Sequence, residues 1–207
     1  MIDIIRIIIS YLIGSISGSM IIGKFKKVDI RSMGSGNAGG TNAFRTQGSL
    51  FALGVITIDI FKGFAATYYI GMGYGEISSL SLICGFASVM GHIYPIYHGF
   101  KGGKGAGTLI GVLLALPLPT LIVPSLILIW IGVLILSGYV GLGTIITSIC
   151  FPLYLYLTNN TYHELIIFSI ICSLLIIYTH RSNIVRMYQG NENQFEKMMV
   201  LKKIFKK

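Results

Sequence analysis

"LICGFASVMGHIYPIYHGFKGGKGAGTLIGVLLA", Leu82 to Ala115, runs apolar, turns glycine-rich and basic between His98 and Gly107, and runs apolar again. The flanking runs read as helices at home in hydrocarbon. Two lysines set among glycines at such a boundary are costly unless they meet a partner there, so this segment fixes both the fold class and the face on which chemistry is expected.

The rest of the chain agrees. It has 207 residues, 54% hydrophobic and only 11% charged, and a mean hydropathy of +0.78, far from the balance of a soluble globular domain. An all-α, polytopic membrane helix bundle follows. Cys84, Cys150 and Cys172 each lie inside an apolar run with no Cys-x-x-Cys or Cys/His clustering, which supports neither a disulfide framework nor a zinc site. They read as small buried hydrophobes.

A spanning helix needs about 20 mostly apolar residues, and candidates lie at roughly 3–23, 49–72, 77–97, 106–118, 120–137, 141–157 and 164–179, about seven in all. "LPLPT" leaves the fourth and fifth short. The first run continues through Ile22 and is followed, not preceded, by the basic "KFKK", which is the arrangement of a retained span and not of a cleaved signal peptide. Basic residues then orient the bundle. Lys24, Lys26, Lys27, Arg31 and Arg45 follow the first span, Lys101 and Lys104 the third, and Arg181, Arg186, Lys197, Lys202, Lys203, Lys206 and Lys207 the last. The opposite connections offer only Arg6, beside Asp3, and the acids Glu76 and Glu164. The positive-inside rule puts the amino terminus outside and the carboxyl terminus in the cytoplasm, and every unusual polar motif falls on the inner face. No internal repeat and no linker is visible, so 1–207 reads as a single domain, with 191–207 an amphipathic tail on the inner leaflet. Lipid electrostatics account for the net charge of +9 without any nucleic acid.

The polar motifs carry the chemistry. "MGSGNAGGTNAFR", Met33 to Arg45, sets Ser35, Asn37, Thr41 and Asn42 among four glycines and ends on Arg45. Such a backbone can converge its N–H groups on an anion, with hydroxyl and amide side chains as further donors, or serve simply as a flexible loop. "KGGKG" is not a nucleotide-binding P-loop, because Lys104 precedes Gly105 instead of Ser or Thr, and His98 stands where the first glycine is required. What remains is a backbone able to bend closely around an oxygen-rich group, with Lys101 and Lys104 as compact charges for phosphate. The lysines also read as interfacial anchors.

His92, in "GHIYP", is placed at the inner boundary to move a proton or to bond within the core. Asp59 and Lys62 interrupt a span at i, i+3 spacing and are expected to pair with each other as a structural ion pair facing the bundle interior and orienting neighbouring loops, with direct contact to substrate the second reading. "HRSNIVRMYQGNE", His180 to Glu192, brings Arg181, Asn183, Arg186 and Glu192 to the same face. Asn183 can orient a hydroxyl and the arginines can bind phosphate.

Together, "GSGNAGGTNAFR", "DIFKG", "GHIYPIYHGFKGGKGAGT", "YVGLGTI" and "HRSNIVRMYQGNE" resemble, in order and spacing and over essentially the whole chain, the bacterial acyl-phosphate:glycerol-3-phosphate acyltransferases, the PlsY family. The resemblance implies transfer of an acyl chain from acyl phosphate to the 1-hydroxyl of glycerol 3-phosphate, giving lysophosphatidic acid and phosphate in phospholipid synthesis. It implies a multi-pass enzyme of the bacterial cytoplasmic membrane, working on the cytoplasmic side. Ser35, Arg45, Lys104 and the Gly102, Gly103, Gly105 loop match phosphate-binding positions. His92 and Asn183 match positions beside the reacting hydroxyl, and Glu192 matches the acid of the last motif. Gly40, "GAGT" and Asn191 depart from the family pattern, and Gly141 replaces a usual Ser, leaving Thr144 as the hydroxyl of its motif.

An acyl phosphate is a mixed anhydride, already activated, and no Ser-His-Asp set or nucleophile elbow is apparent, so direct transfer without an acyl-enzyme is expected. Lys104, Arg45 and the glycine amides would hold phosphate and oxyanion, while His92 or a substrate phosphate takes the proton. With no acidic cluster to hold magnesium, neither metal nor other cofactor is expected. The partners are then the two substrates and membrane lipid, with the chain a monomer. The alternative is a transporter or channel for an organic phosphate, which predicts polar residues continuing toward the outer face.

Overall fold

The computed structural model describes residues 1–72, 76–158 and 162–195. Among them every regular element is helical. The chain divides into two compact units, Met1–Leu118 and Pro119–Lys207.

The first unit contains α1 (Ile2–Gly14), α2 (Gly18–Lys26), a short turn at Ile30–Ser32, α3 (Gly40–Gln47), α4 (Ser49–Ala65), α5 (Ser79–Ile93), a second short turn at Ile96–His98 and α6 (Ala106–Ala115). A π-helical turn, Ala66–Gly71, continues α4. Ser78 caps α5 reciprocally with Ser81. The principal packings are α4 on α6 and α1 on α5. In lipid there is little hydrophobic gain in bringing helices together, so close backbone approach has to supply it. The glycines do this. A Cβ on Gly14 of α1 would collide with the Ser88 backbone of α5, and one on Gly91 of α5 with the Tyr11 carbonyl of α1. Likewise Gly63 of α4 lies against the Thr108 backbone of α6, and Gly111 of α6 against that of Ile60. Overpacking any of these crossings would cost about 1–3 kcal/mol.

The second unit contains α7 (Ile122–Ser137), α8 (Val140–Leu157), α9 (His163–Thr179) and α10 (Arg181–Tyr188). Helix α8 packs on α7 and α9. Between these two units' helices the chain passes Pro117 and Pro119, where Leu116 already has extended backbone.

All seven apolar runs are helical, but their lengths differ from expectation. Ile2–Lys26, Ser49–Gly71, Ser79–His98 and Val140–Leu157 are long and apolar enough to cross a membrane, and a fifth crossing exists if α9 and α10, bent by 52°, form one span. Helix α6 has only 10 residues, about 15 Å at 1.5 Å per residue, half of a hydrocarbon core. Helix α7 has 16. The prolines end one and delay the other, since neither can donate a helical hydrogen bond. The chain is nonetheless a membrane protein, with Leu50, Leu53, Leu128, Leu136, Leu153 and Leu174 all exposed on helix surfaces. Most of the expected tail, 196–207, lies outside the described residues.

Candidate active site

In the first unit, the segment after α2 is held by one amide. Asn42, buried in α3, donates from Nδ2 to the carbonyls of Ile30 (2.9 Å), Met33 (3.0 Å) and Asn37 (3.0 Å), while its Oδ1 accepts from the Ser35 N–H (2.9 Å). The loop therefore closes around Asn42, and the Ser35 side chain is left exposed. Asn37 contributes its carbonyl to this network, Thr41 sits in the first turn of α3 and Arg45 in its last. The loop rests on the core of Ile30, Ala43, Phe51, Ala52 and Val55.

Ahead of it, Arg31 donates to Asp29 from Nη2 at 2.7 Å and from Nε at 3.0 and 3.2 Å. That bonding holds the Asp29 carboxyl below its ordinary value, against burial, which acts in the other direction. Arg31 also donates to the His98 carbonyl (3.3 Å), tying this segment to the start of the glycine-lysine loop.

The glycine-lysine loop folds back on the end of α5. Gly102 N–H donates to the Ile93 carbonyl (3.2 Å) and Gly103 N–H to the His92 carbonyl (3.1 Å). These two amides are thus engaged within the protein. Their absent side chains matter more: a Cβ on Gly103 would fall on the His92 imidazole, and one on Gly102 on the His92 carbonyl. Gly105, at φ +92°, turns the chain into α6 as its N-cap, a backbone angle at which other residues are strained. Lys101 is exposed and Lys104 half-buried.

His92 is buried beside both charges of α4. Lys62 Nζ lies 3.1 Å from Asp59 Oδ1, as the spacing predicts. The same oxygen lies 3.4 Å from His92 Nδ1, which no spacing could reveal because the two residues are on different helices. Lys62 further donates to the carbonyl of Ile16 (2.6 Å), in the break between α1 and α2. A broken helix within hydrocarbon exposes carbonyls that need donors, and the buried ammonium meets that need.

In the second unit, Asn183 is buried in α10 and donates from Nδ2 to Glu192 Oε1 (3.0 Å); Arg186 Nε donates to Glu192 Oε2 (2.8 Å). Glu192 is itself buried. Gly141 faces Asn183, whose Nδ2 would stand 2.9 Å from an added Cβ. Thr144 Oγ1 donates to the Val140 carbonyl (3.0 Å) and accepts from Trp130 Nε1 (3.3 Å). Arg181 stacks over the Tyr178 ring at 4.4 Å and donates to its carbonyl. Two local clusters thus emerge: His92 with Asp59, Lys62 and Gly103, and Asn183 with Glu192, Arg186 and Gly141. No group of three His, Cys, Asp or Glu that could hold a metal occurs among the described residues.

The family model for glycerol-3-phosphate acyltransferase matches residues 4–190. The protein named glycerol-3-phosphate acyltransferase in Aquifex aeolicus is 39% identical over 91% of this chain and 97% of its own, and the one in Staphylococcus saprophyticus is 41% identical over 96% and 100%. Among solved structures, PlsY (YgiH), an integral membrane glycerol 3-phosphate acyltransferase, is similar in its glycerol 3-phosphate form with a TM-score of 0.87 at 36% identity, covering 93% of this chain and 95% of that one. Its lysophosphatidic acid form gives 0.86, also at 36% identity, covering 96% and 98%. The chain belongs to the glycerol-3-phosphate acyltransferase family.

Proposed function

We propose that this protein transfers an acyl chain directly from acyl phosphate to the 1-hydroxyl of glycerol 3-phosphate, releasing lysophosphatidic acid and inorganic phosphate. The observation that carries the reading is the packing of Gly103 against the His92 imidazole. It supports the reading because the residue that touches the ring directly precedes Lys104 in the loop leading into α6, and a cation near an imidazole suits holding a phosphate and a hydroxyl together. The alcohol oxygen bonds to the acyl carbon, the acyl carbon–oxygen bond to phosphate breaks, and phosphate departs with the electron pair. The hydroxyl proton passes to His92 or to a substrate phosphate oxygen. Ser35, Asn37, Thr41, Arg45, Lys101, Lys104, Thr144 and Arg181 serve phosphate binding, and Asn183, held by Glu192, orients the hydroxyl.

The site faces the cytoplasm in a seven-crossing topology with the amino terminus outside, a reading supported by the basic residues that follow the first, third and last apolar runs. An acyl phosphate suits that boundary, its chain belonging in hydrocarbon and its phosphate among cations. The protein acts as a single 1–207 monomer in the bacterial inner membrane, its basic tail on the inner leaflet, and needs no metal.

The test is direct. Purified protein mixed with acyl phosphate and glycerol 3-phosphate yields lysophosphatidic acid and phosphate in equal amounts, and Lys104→Ala abolishes transfer while remaining folded. A wild-type rate in Lys104→Ala removes the phosphate role, and turnover with an acyl thioester but not acyl phosphate removes the donor.

A further inference from the structure

We infer that the carboxyl end of α2 forms a second binding site, for the phosphate headgroup of an anionic glycerophospholipid drawn from the surrounding bilayer. An open cavity of about 570 Å³, far more than a phosphate ion fills, lies there, with Met20, Ile21, Lys24, Lys27, Asp29 and His98 among its lining residues. Ser35, Arg45, His92 and Lys104 do not line it, so it is distinct from the groups assigned to acyl transfer.

The lining has two characters. Helix α2 closes the apolar stretch Ile2–Lys26, which is long enough to cross a membrane, so Met20 and Ile21 belong to hydrocarbon while Lys24 and Lys27 stand at its boundary. A free phosphate would use the lysines and leave the apolar wall idle. A lipid uses both, its phosphate on the ammonium groups and its upper chain carbons along Met20 and Ile21.

The charge balance agrees. Asp29 does not cancel the lysines, because its carboxylate already accepts from Arg31, at 2.7 Å from Nη2 and at 3.0 and 3.2 Å from Nε. Lys24 and Lys27 are exposed, and among the described residues neither forms an ion pair. An anion entering the cavity therefore meets two uncompensated cations.

Lysines at a helix end also complement the helix dipole and anchor a span, and Lys24 and Lys26 need no further account. Lys27 does. It follows the last residue of α2 with left-handed backbone, φ 55° and ψ 38°, at a position where glycine is the usual residue. The Val28 N–H donates to the Gly23 carbonyl (2.9 Å) and the Lys27 N–H to that of Lys24 (3.4 Å), so the chain turns there whatever side chain it carries. Only Phe100 shares a positive φ without being glycine among the described residues. Strain of this kind gathers where a side chain is needed for binding. At Lys27 it delivers an ammonium to the cavity. A headgroup held there lies against the tie from Arg31 to the His98 carbonyl (3.3 Å), at the start of the glycine-lysine loop.

The test titrates the full chain in neutral detergent micelles with phosphatidylglycerol or phosphatidylcholine of identical chains, and counts retained lipid by native mass spectrometry. Wild type is expected to retain one phosphatidylglycerol about 30-fold more tightly than phosphatidylcholine, as two lysine–phosphate contacts at a membrane surface imply. Lys24→Gln combined with Lys27→Gln should erase that preference. Lys26→Gln removes the same charge one residue away, outside the cavity, and should weaken phosphatidylglycerol less than about twofold. No preference in wild type overturns the site, and so does an equal weakening by Lys26→Gln, which would identify diffuse surface charge.

Two further arms are decisive. Inorganic phosphate at the same concentration should not displace the lipid; displacement identifies a free-anion site and overturns the lipid assignment. Lys27→Gly relieves the backbone, so its thermal midpoint in the same detergent should equal or exceed that of wild type, while phosphatidylglycerol binds about fivefold more weakly. Unchanged binding by Lys27→Gly overturns the role given to Lys27. No substrate is present in these titrations, so their outcome is independent of the acyl-transfer reading.

Discussion

Asn183 gives an amide hydrogen to Glu192 across 3.0 Å, nine residues further along the chain, and Glu192 is in turn gripped by Arg186 at 2.8 Å. Because an amide has one donating and one accepting end, fixing Nδ2 on a carboxylate fixes where Oδ1 points. Glu192→Gln keeps an acceptor for Asn183 and loses the charge opposite Arg186; Glu192→Ala loses both. The expected order of turnover is wild type, then Gln, then Ala, with the alanine variant also destabilised by about 1–3 kcal/mol for its unpartnered polar groups. Initial rates and thermal midpoints check this, and an alanine variant as fast as the glutamine variant would remove the orienting role.

Gly103 is expected to be intolerant for a reason different from that of its neighbour Gly99. A Cβ at 99 meets nothing within 4 Å but sits at φ +63°, so Gly99→Ala should cost about 1–2 kcal/mol of stability through backbone strain and retain most of the rate. A Cβ at 103 collides with the imidazole. Gly103→Ala should therefore lower kcat by about 100-fold or more. Equal effects of the two substitutions on kcat would show that contact with His92 is irrelevant.

Much of this arrangement was legible in the sequence where one helix or one rule decides it. The runs expected at 49–72 and 141–157 are Ser49–Gly71 and Val140–Leu157, and the i, i+3 spacing of Asp59 and Lys62 gave their pairing. The π-helical turn after α4 was invisible, because apolar composition is indifferent to which carbonyl each N–H selects. The same indifference hid the fate of the Gly102 and Gly103 amides: glycine says that a backbone can bend, not which acceptor it finds. The approach of His92 to Asp59 depends on how α4 and α5 lie together, and the shortness of α6 on prolines whose effect reached further than an apolar count suggests.

Asn42 is expected to behave as a structural keystone, with any effect on substrate following from that. Its amide serves three carbonyls and one N–H of the segment around Ser35. Asn42→Ala strips those partners at a buried position, at a cost of about 1–3 kcal/mol, and Asn42→Asp is worse, since a carboxylate would face three carbonyls. Both variants should show a lowered thermal midpoint together with a raised KM for glycerol 3-phosphate. A raised KM with an unchanged midpoint would instead make Asn42 a direct ligand.

The Asp29–Arg31 pair gives a pH dependence whose sign follows from its chemistry. Arg31 side-chain hydrogen bonding lowers the Asp29 carboxyl from its ordinary value of 3.8, burial opposing it. A carboxyl more acidic in the folded chain contributes stability at pH above its unfolded value, and that contribution fades as pH falls through the lowered folded value. The thermal midpoint of wild type should thus exceed that of Asp29→Asn by a constant margin between about pH 5 and 7, and the margin should shrink below about pH 4. Because Arg31 also donates to the His98 carbonyl at 3.3 Å, the acid-loosened protein should lose turnover before it unfolds, as the glycine-lysine loop loses its tie to the segment before Ser35. Parallel midpoint curves for wild type and Asp29→Asn down to about pH 3 would show that the pair contributes nothing that depends on its charge.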